Sequence, residues 1–221
     1  MTTPTLIYFA ARGRAELIRF VLSEAGVAWQ EHPIGKDTPP VDGRPTDFTA
    51  LKASGLLPFG AAPVWEEDGL RLAQSQAIAL HLARTHGLYG ATEREHALVD
   101  QLLGAYDDIR LETRKLVTTP EGGRAALRKE LLESTLPRWL GYLDPLLRQN
   151  QGGNGFFVGD KVTVADLAVF VLLEGIRDNK FGAAIDGYPA LAAFEARIAV
   201  RPRIAAYLSS PKRHKFIPLP S

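Results

Sequence analysis

The chain contains no cysteine and only one methionine in 221 residues. Without a thiol there is no disulfide framework, no cysteine nucleophile, no thiolate metal site and no haem attachment. The absence fits a reducing compartment. Neither charge is in excess: Lys+Arg is 26 and Asp+Glu is 25, a formal net charge of +1. A surface so balanced has no global attraction for DNA, RNA or an anionic membrane. A membrane-spanning helix needs about 20 consecutive apolar residues, and the sequence has no such run. The apolar stretch at 6–11 meets Arg12 and Arg14 at once, too short for the core of a secretory signal. The cytoplasm is the expected location. What remains is ordinary for a globular protein, with 46% hydrophobic and 23% charged residues, in a length that suits one large or two small domains.

The first ninety positions alternate strand and helix signals. Residues 5–9 are short, apolar and β-rich. From 14 to 25 the period becomes helical, with Ala15, Ile18, Leu22 and Ala25 on one stripe and Gly26 as the stop. A second strand is expected over 27–34, which makes a βαβ unit with a parallel pair. A Pro- and Gly-rich loop follows from 33 to 45, then a helical turn near 47–52. Asp68-Gly69 is a strong hairpin signal between strands 63–67 and 70–73, and Ser75 reads as the N-cap of a helix over 75–85. Beyond Gly90 strand signals cease. Leu98, Leu102, Ala105 and Ile109 form a helical face that Pro120-Glu121-Gly122-Gly123 breaks. A helix over 124–149 should kink at Pro137. After the Gly/Asn loop 150–155, Thr163 and Asp166 form a capping box before the apolar run 167–173. Shorter helices are expected over 189–199 and 202–208, with an irregular tail. The pattern is α/β followed by all-α, with the change near 89–93.

Five features carry chemistry. Tyr8 stands at the carboxyl end of the first strand, where open α/β sheets bind ligands. Its hydroxyl there can lower the pKa of a bound thiol from about 8.5, helped by the helix N-terminus. Ala62-Pro63 precedes the hairpin, and a cis bond would turn backbone groups outward toward an extended peptide. Gln74-Ser75 opens a helix whose N-terminus suits a carboxylate. Lys52 can meet a second carboxylate, and Asp107-Asp108 an ammonium group. Taken singly, each has a plain structural reading: a core tyrosine, a trans turn, an ordinary cap, a solvated lysine, surface carboxylates. Taken together they suit a small extended peptide with two carboxylates, one ammonium and one thiol, which describes glutathione.

Their order points to a family. Tyr8-Phe9-Ala10-Ala11-Arg12-Gly13-Arg14, the loop Pro58-Phe59-Gly60-Ala61-Ala62-Pro63, Asp68-Gly69 through Gln74-Ser75, and Arg84-Thr85-His86-Gly87-Leu88-Tyr89-Gly90 are present. So are Gln149-Asn150-Gln151-Gly152-Gly153 and Val158-Gly159-Asp160 with Thr163 and Asp166. The chain thereby resembles the cytosolic glutathione transferases of the tyrosine type, closest to the pi and sigma classes. The resemblance covers nearly the whole length. It implies a thioredoxin-like domain over 1–88 and an all-α domain over 92–221 carrying a hydrophobic acceptor pocket. It further implies that Tyr8 stabilises the glutathione thiolate, with Arg14 supporting it. The backbone at Ala61, Ala62 and Pro63 would pair with the cysteinyl part, Gln74 and Ser75 would hold the γ-glutamyl carboxylate, and Lys52 would lie near the glycyl carboxylate. A homodimer is implied, with Phe59 as the aromatic key entering the other subunit and Asp108 reaching the ammonium of the neighbour's ligand. No metal and no cofactor beyond glutathione is expected.

The sequence departs from the family pattern in three places, the mildest being Ala61-Ala62 in place of larger side chains, where the expected contacts are backbone. The tryptophan usual before the lysine is missing; Thr46 or Phe48 occupies that region. The pi-class tyrosine on the first C-terminal helix aligns with Thr118, and the tryptophan of sigma-class prostaglandin D synthases aligns with Lys115, which disfavours that isomerase. Phe9, Arg114, Thr118 and Phe216 are the expected acceptor-pocket residues. The expected activity is conjugation of glutathione to hydrophobic electrophiles. Two alternatives stay open: a non-catalytic crystallin-like or ligand-carrying protein, and a glutathione-dependent isomerase or peroxidase. His81 and His86, five apart, do not share a face, so no zinc site is expected. The basic run 212–215 reads as a solvated tail.

Overall fold

The structure is a computed structural model that describes residues 3–221. Two compact units divide the chain. One runs through His86 and takes in Ala206–Ile217; the other holds Gly87–Ala205 and Pro218–Ser221.

The first unit contains β1 (Thr5–Phe9), a 3-10 turn (Gly13–Ala15), α1 (Glu16–Ala25), β2 (Gln30–Ile34), α2 (Phe48–Ala53), β3 (Val64–Glu67), β4 (Leu70–Ala73) and α3 (Ser75–Thr85). The sheet order is β2-β1-β3-β4, with β1 parallel to β2 and antiparallel to β3. Helix α1 stops where Gly26 adopts φ 73° and the amides of Gly26 and Val27 turn back to Ser23 and Leu22, a Schellman ending. That closure uses Val27, so β2 begins at Gln30, opposite Thr5, rather than at 27. The hairpin turn has positive φ at both Asp68 and Gly69, the type I′ geometry that matches strand twist. Alternation along β1 sends Ile7 to one sheet face, where it packs with Ile34, Val64, Ala73 and the α2-side residues Leu51 and Leu57. Leu6 and its partner Trp65 go to the other face, and both are fully buried, as are Ile18, Leu22, Ile78 and Leu82 of α1 and α3. Each such side chain contributes about 1.5–3 kcal/mol by leaving water.

One cap differs from expectation. Ser75 is the first helical residue of α3, and Gln74 is the cap, with φ 73° and no side-chain capping bond. The ladder of β3 and β4 holds through Ala73, so a single residue must turn the chain from strand to helix.

The second unit is helical: α4 (Glu93–Thr118), α5 (Glu121–Glu130), a π turn (Leu131–Thr135), α6 (Leu136–Gln149), a 3-10 turn (Gln151–Gly153), α7 (Val164–Asp178), the short α8 (Ala183–Asp186), α9 (Pro189–Ala199) and α10 (Pro202–Leu208), within which the division between units falls. The buried stripe of α4 is Val99, Leu102, Leu103, Tyr106, Ile109 and Leu116; Leu98 and Ala105 sit at its margin rather than in it. The break after α4 is confined to Thr119 and Pro120, so Gly122 and Gly123 lie inside α5. The distortion expected at Pro137 occurs just before it, as the π turn. A proline near the start of α6 has no amide to give to the preceding turn, and the wider turn absorbs the mismatch. The capping box on α7 is present: Asp166, fully buried, accepts from the Thr163 amide at 2.7 Å, the Thr163 hydroxyl at 2.9 Å and the Phe157 amide at 2.8 Å. Burial pushes its carboxyl up to about 6 against those three hydrogen bonds. Among the described residues no helix is long and apolar enough to cross a membrane.

Candidate active site

The strand register gathers most of the expected ligand-binding residues. Ile7 pairs with Val64, and Val64 with Ala73. The next residue along each strand in the same direction is Tyr8 on β1, Pro63 before β3 and Gln74 after β4. Three segments far apart in sequence thus share one end of the sheet, the carboxyl end of β1.

Tyr8 is nearly buried, and its hydroxyl oxygen accepts a hydrogen bond from the Arg14 amide at 2.9 Å. With that lone pair engaged, the O–H proton is directed elsewhere and can be donated to a ligand atom. The contact requires a close approach: a Cβ on Gly13 would lie 2.5 Å from the Tyr8 hydroxyl, and Gly13 has φ +44°. Only glycine meets both demands. Arg14 therefore reaches Tyr8 through its backbone.

At the same sheet end the Ala62–Pro63 peptide is cis, and Ala61 is exposed and Ala62 half-buried before β3. Gln74 is exposed and held at positive φ. Such backbone in a non-glycine residue costs of order 1–3 kcal/mol and concentrates at functional sites. Behind it, Ser75 opens the eleven-residue α3, whose first-turn amides lack helical partners and favour an anion.

Helix α2 supplies the other flank. Asp47 caps it by accepting from the Ala50 amide at 3.0 Å, which sets Phe48 and Lys52 one turn apart. The Phe48 ring packs against Phe9 at 5.4 Å, and the Lys52 ammonium lies 4.6 Å from the Phe48 ring centroid. Phe9 in turn meets Tyr8 edge-on at 5.5 Å. Thr46 is 3% exposed and its hydroxyl donates to the Thr38 carbonyl. Of the two positions in the loop, Thr46 is spent on the fold, and Phe48 brings an apolar ring with no N–H donor.

Phe216 belongs to the first unit, under the Arg12 guanidinium at 5.6 Å. Asp108, Arg114 and Thr118 are exposed residues of α4 in the second unit; the Thr118 hydroxyl donates to the Lys115 carbonyl at 3.2 Å. His81 faces Glu67 at 3.6 Å, and among the described residues no group of three or more His, Asp and Glu is placed to hold a metal ion.

Comparison with known proteins identifies the family. Residues 4–84 match the glutathione S-transferase N-terminal domain and residues 107–211 its C-terminal domain. Glutathione S-transferase P of Pongo abelii is 36% identical over 97% of this chain and 95% of its own length. The chain belongs to the glutathione S-transferase family. Among solved structures it is similar to NaGST-2, with a TM-score of 0.80 and 33% identity over 96% of this chain and 98% of that one. It is also similar to the pi-class glutathione S-transferase of Onchocerca volvulus, with a TM-score of 0.81 and 28% identity over 94% and 92%. The first unit is accordingly the family's thioredoxin-like domain and the second its helical domain.

Several contacts around Tyr8 and the tail have no signal in the sequence. Gly13 was part of a motif there, with no sign that it abuts the Tyr8 hydroxyl. The basic run at 212–215 is only half solvated: Lys212 and Lys215 are exposed, but the Arg213 side chain is 9% exposed and donates to Glu16 at 2.9 Å. Burial and the nearby Arg19 charge hold His214 below its usual pKa. No local pattern marks the contacts of the tail, because Arg213 and Glu16 lie 197 residues apart.

Proposed function

We infer that this protein binds glutathione along the carboxyl end of its sheet and that Tyr8 activates the thiol for attack on a hydrophobic electrophile. The observation that carries the reading is the Arg14 amide on the Tyr8 oxygen at 2.9 Å, which leaves the phenolic proton to donate to sulfur. A hydrogen bond to the thiolate stabilises the charged form and brings the thiol pKa below its free value of about 8.5. The thiolate then forms a sulfur–carbon bond with the acceptor, and a leaving group departs or the acceptor takes up a proton. Holding the two reactants together supplies the remaining gain.

The peptide ligand suits the flanking groups. The cysteinyl backbone pairs with Ala62 before Pro63, its γ-glutamyl carboxylate meets Gln74, Ser75 and the α3 amides, and its glycyl carboxylate meets Lys52. Phe9 and Phe216 supply the acceptor contacts of the first unit. Phe48 takes the flank where the family has a tryptophan, so Lys52 is the main polar contact to the glycyl end.

The functional form is a homodimer. Phe59 is 71% exposed at the tip of the loop before Pro63. The helical unit has a recess of about 320 Å³ whose lining includes Leu98, Leu102, Leu146 and Phe157 together with the polar Arg94 and Glu95, large enough for a phenyl ring from a second copy. Asp108 of that copy would then meet the γ-glutamyl ammonium.

The test is a pH titration of bound glutathione, following thiolate absorbance. The wild type should show a bound thiol pKa well below about 8.5, and Tyr8→Phe should return it toward that value and lower conjugation with the fold intact. Binding with no shift in the wild type would replace this reading with that of a carrier. Unchanged activity in Tyr8→Phe would remove the role of Tyr8.

A further inference from the structure

We propose that the C-terminal segment, residues 207–216, is a positioning element for Tyr8 that acts through Glu16, Arg19 and Arg12. The proposal rests on the reading of Tyr8 as thiol activator.

The chain of contacts lies wholly within the first unit. Tyr8 is oriented by the amide of Arg14, at the end of the turn that begins after β1. That turn is held from below by Arg19, whose side chain is 1% exposed. One Arg19 nitrogen donates to the Ala11 carbonyl at 2.9 Å and the Arg12 carbonyl at 3.3 Å. Its other two nitrogens grip Glu31 in a fork at 2.8 and 3.1 Å, a bidentate geometry that fixes the guanidinium in its plane. The guanidinium also lies 5.9 Å from the Tyr8 ring centroid.

The tail completes this network. Arg213 donates to Glu16 at 2.9 Å, and the Tyr207 hydroxyl donates to the other Glu16 oxygen at 3.2 Å. Glu16 contacts Arg19 at 3.4 Å. His214 approaches Glu31 at 3.9 Å, and its carbonyl accepts from the Arg12 side chain at 3.0 Å. Arg12 itself lies over the Phe216 ring. Two arginines and two glutamates thus neutralise one another, Arg213–Glu16–Arg19–Glu31, with one arginine supplied by the tail. Removing a partner from a buried pair leaves an uncompensated charge, and the survivors rearrange. Here the survivor is Glu16, beside the Arg19 that carries the Ala11 and Arg12 carbonyls. Loss of the tail contact therefore loosens the turn that orients the Tyr8 hydroxyl. None of these tail residues need touch the ligand for this to operate.

The experiment compares full-length wild type with Arg213→Gln, Arg213→Lys and Arg12→Gln, and with Lys212→Gln and Lys215→Gln as exposed controls. Three quantities are measured: the pKa of bound glutathione, kcat/KM against pH with an aromatic electrophile, and Tm. Arg213→Gln and Arg12→Gln should each raise the bound thiol pKa by about one unit. That lowers kcat/KM about tenfold near pH 6.5 and little near pH 9, where the thiol ionises unaided. Arg213→Lys keeps the charge without the planar fork and should fall between; the controls should match wild type. A merely structural tail would lower Tm and leave the bound thiol pKa in place. If Arg213→Gln does not fold, Arg12→Gln carries the same test, since it cuts the tail from the turn and spares the buried pairs. A wild-type shift that both glutamine variants retain overturns the tail's role alone. No shift in the wild type overturns the Tyr8 reading and the tail's role with it.

Discussion

At the scale of single residues, Gly13 deserves to be set beside Tyr8. On the proposed reading the tyrosine supplies the proton, and the glycine permits the approach of the Arg14 amide that aims it. Gly13→Ala puts a methyl group 2.5 Å from the hydroxyl oxygen, so the ring must move. Stability should fall by about 1 kcal/mol from the positive φ. Activity should fall further, at least tenfold in kcat/KM at neutral pH, with the bound thiol pKa moving toward about 8.5. Thermal melts and the thiolate titration separate the two effects, and a variant with normal activity would refute the geometry. Tyr8, Lys52 and Gln74 were legible in the sequence because each sits at the end of a recognisable element. Gly13, Arg19 and Arg213 were not, because their significance lies in contacts made only after the chain has folded.

At the scale of elements, the capping box of α7 was readable as the spacing of Thr163 and Asp166, and so was its place before an apolar run. The start of α3 was misread: residue type nominated Ser75, whereas the strand ladder through Ala73 decided that Gln74 turns the corner. The π turn was not legible, since the kink was assigned to the proline and the chain relieves it one turn earlier. The capping box also makes a pH prediction. Asp166 has a carboxyl pushed up to about 6 by burial, against 3.8 for the unperturbed group. Between those values the folded state holds a proton that the unfolded state has released. Stability from this group therefore falls as pH rises through that window, by up to about 3 kcal/mol, and is regained on acidification. Asp166→Asn should remove this component. The wild-type advantage over the variant, from denaturant melts, should be larger at pH 4 than at pH 7. An advantage that grows with pH would show the carboxylate to be the favoured buried form.

At the scale of the whole molecule, the order of strands and helices was legible nearly throughout, because periodicity and turn chemistry set it locally. The assignment of residues 206–217 to the first unit was not, since no local signal tells a tail where to dock. Assembly makes the last prediction. Each dimer of the proposed kind seats two Phe59 rings, each worth about 1.5–3 kcal/mol if fully buried. Phe59→Ala should weaken the dimer by roughly two to four orders of magnitude in Kd, read by sedimentation velocity over a dilution series. A wild type that stays monomeric at micromolar concentration would refute the key.

The docked tail also bears on how the protein is born. The residues that complete the charge network around Glu16 and Arg19 are made long after it, with Tyr207 and Arg213 following Glu16 by 191 and 197 residues. Until they emerge, helix α1 carries a buried glutamate, Glu16, that has Arg19 beside it but neither Arg213 nor the Tyr207 hydroxyl. The amino-terminal unit therefore completes its charge network only after the helical unit has been made, and a fragment ending at His86 would keep Arg19 beside Glu16 but lack Arg213 and the Tyr207 hydroxyl. The turn that orients Tyr8 would reach its working geometry only once the tail has emerged and docked.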